Sequence, residues 1–497
     1  MDHATWATAL LATPFAARLL PLTIRLLPVI SRIGTLIVQF RQVGPSPQSC
    51  YEFEDQVSQQ LRQLGRIIIE WVYNHIESDQ PELMPRHLHC DGTWYRRRAK
   101  TANRCLGTLF GTIILRRYLY QPIHGLERSL FPLEIRLGIE ARRATPALAE
   151  RVARWAVDST QGETLAALRR EHAVNWSTAT LRAVIEAVRA GVVRQGRDAC
   201  VAKVLAWLER ADASRGARKP VLALGRDGIF VPIRGQEAYR EAAAATLSVY
   251  DRRGRRLGTL YLGRMPEPGQ QTISDQLTEL IQEVLRRWSG PLPRLAYVTD
   301  AGHHPTAYYR RVLKRMTHPC RPQERLHWEW VVDYYHAASY VHKLSETLFR
   351  TPRESQAWAR QMCRWLKTKP GAVNRILHSA AAIRSRRVVL GTAQAYREAY
   401  GYLRKQIRHL DYSRYKGLHL PIGSGVTEAA CKTVFTQRLK RSGMAWSVEG
   451  GQRIVDLRVL QLSGVWPEVY QSYLQSKNCA ELPGYPGYEA EKAEKAA

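Results

Sequence analysis

The sequence predicts an α/β fold: a mixed sheet whose closing helices are set apart from it by a long all-helical stretch. Over residues 220–336, apolar runs of strand period and helix period follow one another as three strands, helix, strand, helix, strand. Residues 337–415 are then basic and helix-forming for about 80 positions, until a Gly-Ser-Gly turn at 423–425 reopens an apolar helical pattern. Ahead of this core, residues 86–124 alternate short β-prone runs with turns, and residues 146–190 have helical spacing.

The opening stretch, "WATALLATPFAARLLPLTIRLLPVISRIGTLIVQF", is apolar but carries Arg18, Arg25 and Arg32 and Pro14, Pro21 and Pro28. These interruptions leave no clean run of the roughly 20 apolar residues that a membrane span needs. Asp2 stands where a signal peptide has a base. The expectation is an Arg-studded amphipathic segment packed on its own protein, with no membrane contact, in an N-terminal helical region 1–85 whose residues 51–80 show clear helical spacing.

Residues 86–135 read as a small β-rich module. His87-x-x-Cys90 and Gln121-x-x-His124 bracket it like the two knuckles of a zinc ribbon. Structural zinc takes four Cys or His ligands, and Gln121 is a poor one. The pattern therefore reads either as a degenerate site of His87, Cys90 and His124 or as a metal-free ribbon. In 136–210, "GETLAALRREH" and "WSTATLRAVIEAVRAG" (176–191) form a helix-turn-helix-like pair, its second helix capped by Ser177. Thr178, Thr180 and Arg182 would face a major groove if the pair reads DNA; a generic helical pair has the same look. "ADASRGARKP" (211–220) has linker composition.

In the core, "PVLALGRDGIFVPIRG" is a strand expected to end near Asp227, and the next two strands turn at Arg253 and Gly254. "TISDQLTELIQEVLRRW" is a capped amphipathic helix, "RLAYVTDAGHH" a buried strand ending at Asp300, and a helix over 305–317 follows. "LHWEWVVDYYHA" is a strand running into a helix near Asp333 and His336. Helices close the core over 421–467, and the tail 480–497 reads as disordered.

Lys and Arg number 74 against 44 Asp and Glu, a formal charge of +30, with Arg spread along the whole chain. That excess suggests an extended surface for a polyanion, most simply nucleic acid. The eight cysteines (Cys50, Cys90, Cys105, Cys200, Cys320, Cys363, Cys431 and Cys479) form no close pairs, which suits a reducing cytoplasm.

Three strands in a meander, then a helix and a parallel strand, open an RNase H-like fold, in which the first and fourth strands and a late helix each carry an acid. Asp227, Asp300 and Glu428 fall on those elements. Such acids gather to bind metal: two Mg²⁺ ions activate a water and stabilise the leaving oxygen in phosphodiester displacement, and hard oxygen ligands suit Mg²⁺. Taken singly, Asp227 also reads as an Asp-Gly turn residue and Glu428 as an acid at a helix start.

"PIGSGVTEAACKTVFTQRLKRSGMAWSVEGGQRIVDLR" closely resembles the C-terminal signature of the IS-Kra family of bacterial insertion-sequence transposases; "RDGIFV", "YVTDAGHH" and "VVDYYHAASYVHKL" extend the resemblance over about 85–467. It implies a DDE transposase: an RNase H-like catalytic domain interrupted by an all-α insertion and preceded by a zinc-ribbon-like module and a helix-turn-helix-like DNA-binding region. Asp227, Asp300 and Glu428 would be its catalytic acids and metal ligands, with Mg²⁺ (two per site, Mn²⁺ substituting). Asp333-x-x-His336 resembles the Asp-x-x-His motif of Mutator-type transposases. The family commonly has Cys knuckles where this chain has His87, Cys90, Gln121 and His124, and Ser-Asp-Gly-Ala where it has "TDAGHH".

The implied partners are terminal inverted repeats and target DNA, held by a homodimer or larger synaptic oligomer in the bacterial cytoplasm at the nucleoid. Lys432, Arg438, Lys440 and Arg441 would contact phosphates, and Trp446 reads either as a base-stacking ring or as core. The alternatives are a silent DNA-binding derivative and an RNase H-like nuclease acting on hybrid or branched nucleic acid.

Overall fold

A computed structural model of the chain describes residues 14–125, 128–386 and 393–477, with Leu482 and Tyr485. The chain is mixed α/β and divides into two compact units, one of residues 1–191 with 470–497, the other of 192–469.

In the first unit, helices α1 (Pro14–Val43) and α2 (Pro47–Asn74) form an antiparallel hairpin. Ser46 and Ser49 cap the start of α2 reciprocally, and Phe40 stacks on Phe53 across the turn. The sequence took Pro21 and Pro28 as interruptions, but α1 runs unbroken through both. They lie on its exposed side, where water can satisfy the carbonyls that lose their partners. Within α1, Leu19–Val43 is long and apolar enough to cross a membrane, by length and composition only.

Strands β1 (His87–Cys90), β2 (Thr93–Thr108) and β3 (Gly111–Pro122) make an antiparallel sheet, the expected β-rich module. Three short helices follow: α3 (Pro132–Arg136), α4 (Pro146–Asp158) and α5 (Gln161–His172). Buried Glu77 accepts from Tyr118 N at 2.8 Å and from the Tyr485 hydroxyl at 2.7 Å. Leu482 and Tyr485 are packed into the ribbon core, whereas the rest of the tail expected to be disordered lies outside the described residues.

Helix α6 spans Thr178–Asp212. Its Ser177 cap holds, with Oγ accepting from Thr180 N at 3.2 Å. The helix runs well beyond the expected end at 191, and the unit boundary falls inside it rather than at the linker. Ala, Leu, Arg, Gln, Lys and Glu continue helix-forming composition through that stretch, and no proline stops it.

The second unit holds β4 (Val221–Val231), β5 (Arg240–Tyr250), β6 (Arg256–Arg264), α7 (Gln271–Arg287), β7 (Arg294–Thr299) and α8 (His303–Arg311). A small unforeseen hairpin, β8 (Thr317–His318) and β9 (Arg321–Arg325), precedes β10 (Trp328–Val332). The sheet order is β10-β7-β4-β5-β6; β5 is antiparallel to both neighbours, while β4, β7 and β10 are parallel. β4 continues past Asp227 to Val231, since its pairing with β5 is unbroken to Arg240. The side-chain cap expected on α7 is not made; Gln270 instead accepts from buried Arg226 at 3.0 Å.

Helices α9 (Tyr334–Glu346), α10 (Pro352–Thr368), α11 (Ala372–Arg386), α12 (Ala393–Lys405) and α13 (Tyr412–Gly417) come next. Then follow α14 (Gly425–Ala430), a π-helical turn (Cys431–Thr436), α15 (Gln437–Leu439), α16 (Val448–Leu462) and α17 (Trp466–Lys477). Val434, Phe435 and Leu439 are buried with Val231, Ala242 and Ala244 of the sheet. Burying side chains of the larger kind contributes about 1.5–3 kcal/mol each, and the small alanines of β5 let the helices sit close.

Candidate active site

The last paired residues of β4 and β7 are Gly225 and Val298. Asp227 and Asp300 each lie two positions further on, so they stand level on neighbouring parallel strands and share a face. Val332 pairs with Thr299, which puts Asp333 level with Asp300 on its other side.

Glu428 comes to this face by a close approach. A Cβ on Gly225 would lie 1.9 Å from Thr427 Oγ1, so the strand has room for α14 because it has no side chain there. The Thr427 hydroxyl meets that of Thr246 at 2.9 Å in the buried seam. Glu428, one residue on, is exposed, and Ser424 Oγ donates to its Oε1 at 3.1 Å. Asp227 senses both of the other acids. Burial pushes the Asp227 carboxyl up, and the charges of Asp300 and Glu428 push it further, against hydrogen bonds from Gly228 N and the Cys431 thiol that pull it down.

Cys431 sits among the acids. Its Sγ donates to Asp227 Oδ2 at 3.6 Å, and burial, then the charge of Asp227, push the thiol up, keeping it protonated. It opens the π-helical turn, an insertion of one residue that often accompanies functional sites. Asp300 Oδ1 accepts from Gly302 N at 2.9 Å. Between them Ala301 has φ +64°, a left-handed conformation unusual for a residue with a Cβ.

Asp333 is a clasp. It is 1% exposed; Oδ1 accepts from His336 N at 2.6 Å, capping α9, and Oδ2 accepts from Ser424 N. Tyr334 N donates to Ile422 O at 2.8 Å beside it. Both carboxylate oxygens thus hold backbone, and the Gly-Ser-Gly turn that presents Glu428 is tied to the end of β10. His336 packs edge-on against Tyr340 and Tyr402. The Tyr402 hydroxyl donates to Asp300 O at 3.2 Å, anchoring α12 at the end of β7.

The basic residues divide. Lys432, Lys440 and Arg441 are exposed, although Lys440 also lies over the Tyr239 ring at 5.6 Å. Arg438 is 2% exposed, with its guanidinium 5.0 Å from the Trp446 ring centre. The expected phosphate contact at Arg438 is therefore corrected: helical spacing turns it into the core. Trp446 donates Nε1–H to Leu439 O at 3.0 Å, bridges to Ile233 just past β4 and packs half-buried against the core, which favours the packing role. In the other unit Thr178 and Arg182 are exposed, with Arg182 reaching Gln161, while Thr180 closes the Ser177 cap.

The ribbon residues are not gathered. His87 and Gln121 pair with Arg96 from opposite sides, two strand spacings or roughly 10 Å apart, and Gln121 accepts from Arg98 at 2.8 Å. Cys90 pairs with Thr93, while His124 lies two residues past the end of β3. Among the described residues, no three His, Cys, Asp or Glu side chains stand as one metal-holding group, the three core acids included. The core acids are nonetheless the donor set that Mg²⁺ favours, and a cation would offset the burial and the neighbouring charges that raise Asp227.

Sequence reasoning passed over Gly225, Thr427, Ser424, Cys431 and Tyr402. An isolated glycine inside a strand was the one readable sign, since it marks close approach of another element. Compared with known protein families and with curated proteins, the sequence matches none.

Proposed function

We propose that this chain is a DNA transposase of the DDE class, with an RNase H-like core interrupted by its helical insertion. The observation that carries the reading is the level placement of Asp227 and Asp300 on adjoining parallel strands, with the Glu428 helix seated on the same face through Gly225 and Thr427. The antiparallel second strand and the sheet order support the fold assignment.

Asp227, Asp300 and Glu428 would hold Mg²⁺, which when bound activates water and stabilises the leaving oxygen of a phosphodiester. Asp333 fixes the turn, Ser424 orients Glu428, and the Cys431 thiol and Gly228 amide restrain Asp227. Lys432, Lys440 and Arg441 offer positive charge for phosphates from the same helical segment. The freed 3′-hydroxyl of the element would then attack target DNA, so cleavage and joining use one site.

The test is cleavage of duplexes that carry the inverted repeats flanking the coding region, with Mg²⁺ or Mn²⁺. Cutting at the repeat end supports the proposal. Hybrid or branched substrates cut without regard to repeat sequence would replace it with a general nuclease. A DNA-binding derivative without activity is the second reading, which the excess of 74 Lys and Arg over 44 Asp and Glu suits equally. Repeat-specific binding with no cutting under either cation would establish it.

A further inference from the structure

Helix α1 has a period of seven. Leu19, Leu26, Ile33 and Phe40 alternate with Leu22, Val29 and Leu36, the spacing of a coiled-coil seam. This seam meets α2, where Leu22, Val29 and Ile67 are buried together against Leu26, Leu64 and Trp71. One seam accounts for one side of the helix. Leu20, Ile24, Leu27 and Val38 are 53%, 58%, 54% and 54% exposed, and with Ser31 and Gly34 they repeat the same alternation of four and three around the helix. A helix with apolar stripes on two sides has one that its own hairpin leaves uncovered.

Two further observations say what. A Cβ on Gly34 would meet nothing within 4 Å. The chain's own packing therefore gives no reason for a glycine that weakens the middle of a helix, whereas close approach of another helix does. The charges are also complementary. Over its described side chains α1 carries Arg25, Arg32 and Arg41 and no acid, while the first half of α2 carries Glu52, Glu54 and Asp55 and no base. Arg25 pairs with Glu70 at 3.1 Å; among the described residues the other five form no ion pair.

We propose that this face binds the same face of a second copy of the chain. Two hairpins then form a four-helix bundle, with the arginines of each α1 beside the acids of the other copy's α2. A lipid surface fits less well: α1 would carry α2 with it, and Glu52, Glu54, Asp55, Arg62 and Arg66 are unfavourable in a bilayer. The inference stands apart from the nuclease reading and survives its failure.

Sedimentation of the full chain tests it, with helix content followed by circular dichroism. Wild type is expected to dimerise reversibly at micromolar concentration, and Ile24→Glu/Leu27→Glu to raise Kd by more than about tenfold at unchanged helicity. Arg32→Glu/Arg41→Glu, which leaves the apolar seam whole, is expected to weaken the dimer most at low salt. A monomeric wild type up to about 50 μM overturns the proposal, as does a dimer that neither variant weakens. Monomeric wild type that floats with phosphatidylethanolamine–phosphatidylglycerol vesicles, and loses that binding in Ile24→Glu/Leu27→Glu, overturns it in favour of lipid.

Discussion

Replacing Gly225 with alanine tests how the late acid reaches the sheet. The new methyl would lie 1.9 Å from Thr427 Oγ1 and 2.9 Å from Thr246 Oγ1, where ordinary contact begins at 3.4 Å. Turning the Thr427 side chain away does not solve this, because its Cβ stays at 3.1 Å. The turn also breaks the Thr246–Thr427 hydrogen bond, a loss of about 1 kcal/mol. Some backbone shift of α14 remains, and overpacking of this kind costs about 1–3 kcal/mol. Glu428 rides on the same helix, and a misplacement near 1 Å can cost about 10²-fold in rate. Gly225→Ala should therefore unfold at lower urea concentration with unchanged slope and cut repeat-end DNA about a hundredfold more slowly. Adding Thr427→Ala should restore part of both. An alanine variant that unfolds and cuts like wild type would refute the close approach; one that is destabilised but cuts normally would refute the link between that helix and the chemistry.

Asp300→Asn should slow cleavage by more than about 10²-fold while fluorescence anisotropy finds repeat-DNA affinity nearly unchanged; equal loss of binding would make Asp300 a residue of the fold. Asp227 is raised in the folded state, by burial first and by its acidic neighbours next, from an ordinary value of 3.8. Below that value both states are protonated and Asp227→Asn should match wild type; as pH rises through the folded value, wild type loses stability. Without divalent cation the variant should thus melt higher at pH 7, a gap that thermal unfolding should find closed at low pH and narrowed by Mg²⁺ in wild type. Lys440→Ala and Arg441→Ala should each lower the salt slope of DNA binding by about one. Arg438→Ala should instead lower the melting temperature, since its guanidinium lies in the core beside Trp446.

The order of strands and helices over 220–336 was legible because a period of two or of 3.6 is written in neighbouring residues. So were, to within a residue, the strand ends expected at Asp300 and near Asp333, the hairpin at Gly254 and the start of a helix around Glu428. Where local signals and packing disagreed, packing decided. Pro21 and Pro28 read as breaks, yet face water in an unbroken helix, and Arg438 reads as a DNA contact, yet is buried.

The chain by itself determined which residues could form each element and which acids lay at strand ends or helix starts. Tertiary structure alone decided that Asp227 and Asp300 stand level, that Gly225 admits Thr427, and that Asp333 closes its carboxylate on the Ser424 amide. The reason is physical. Periodicity reports the direction of a side chain relative to its own backbone, whereas register and close approach join segments as far apart as 225 and 427, and are set by what fills the space between them.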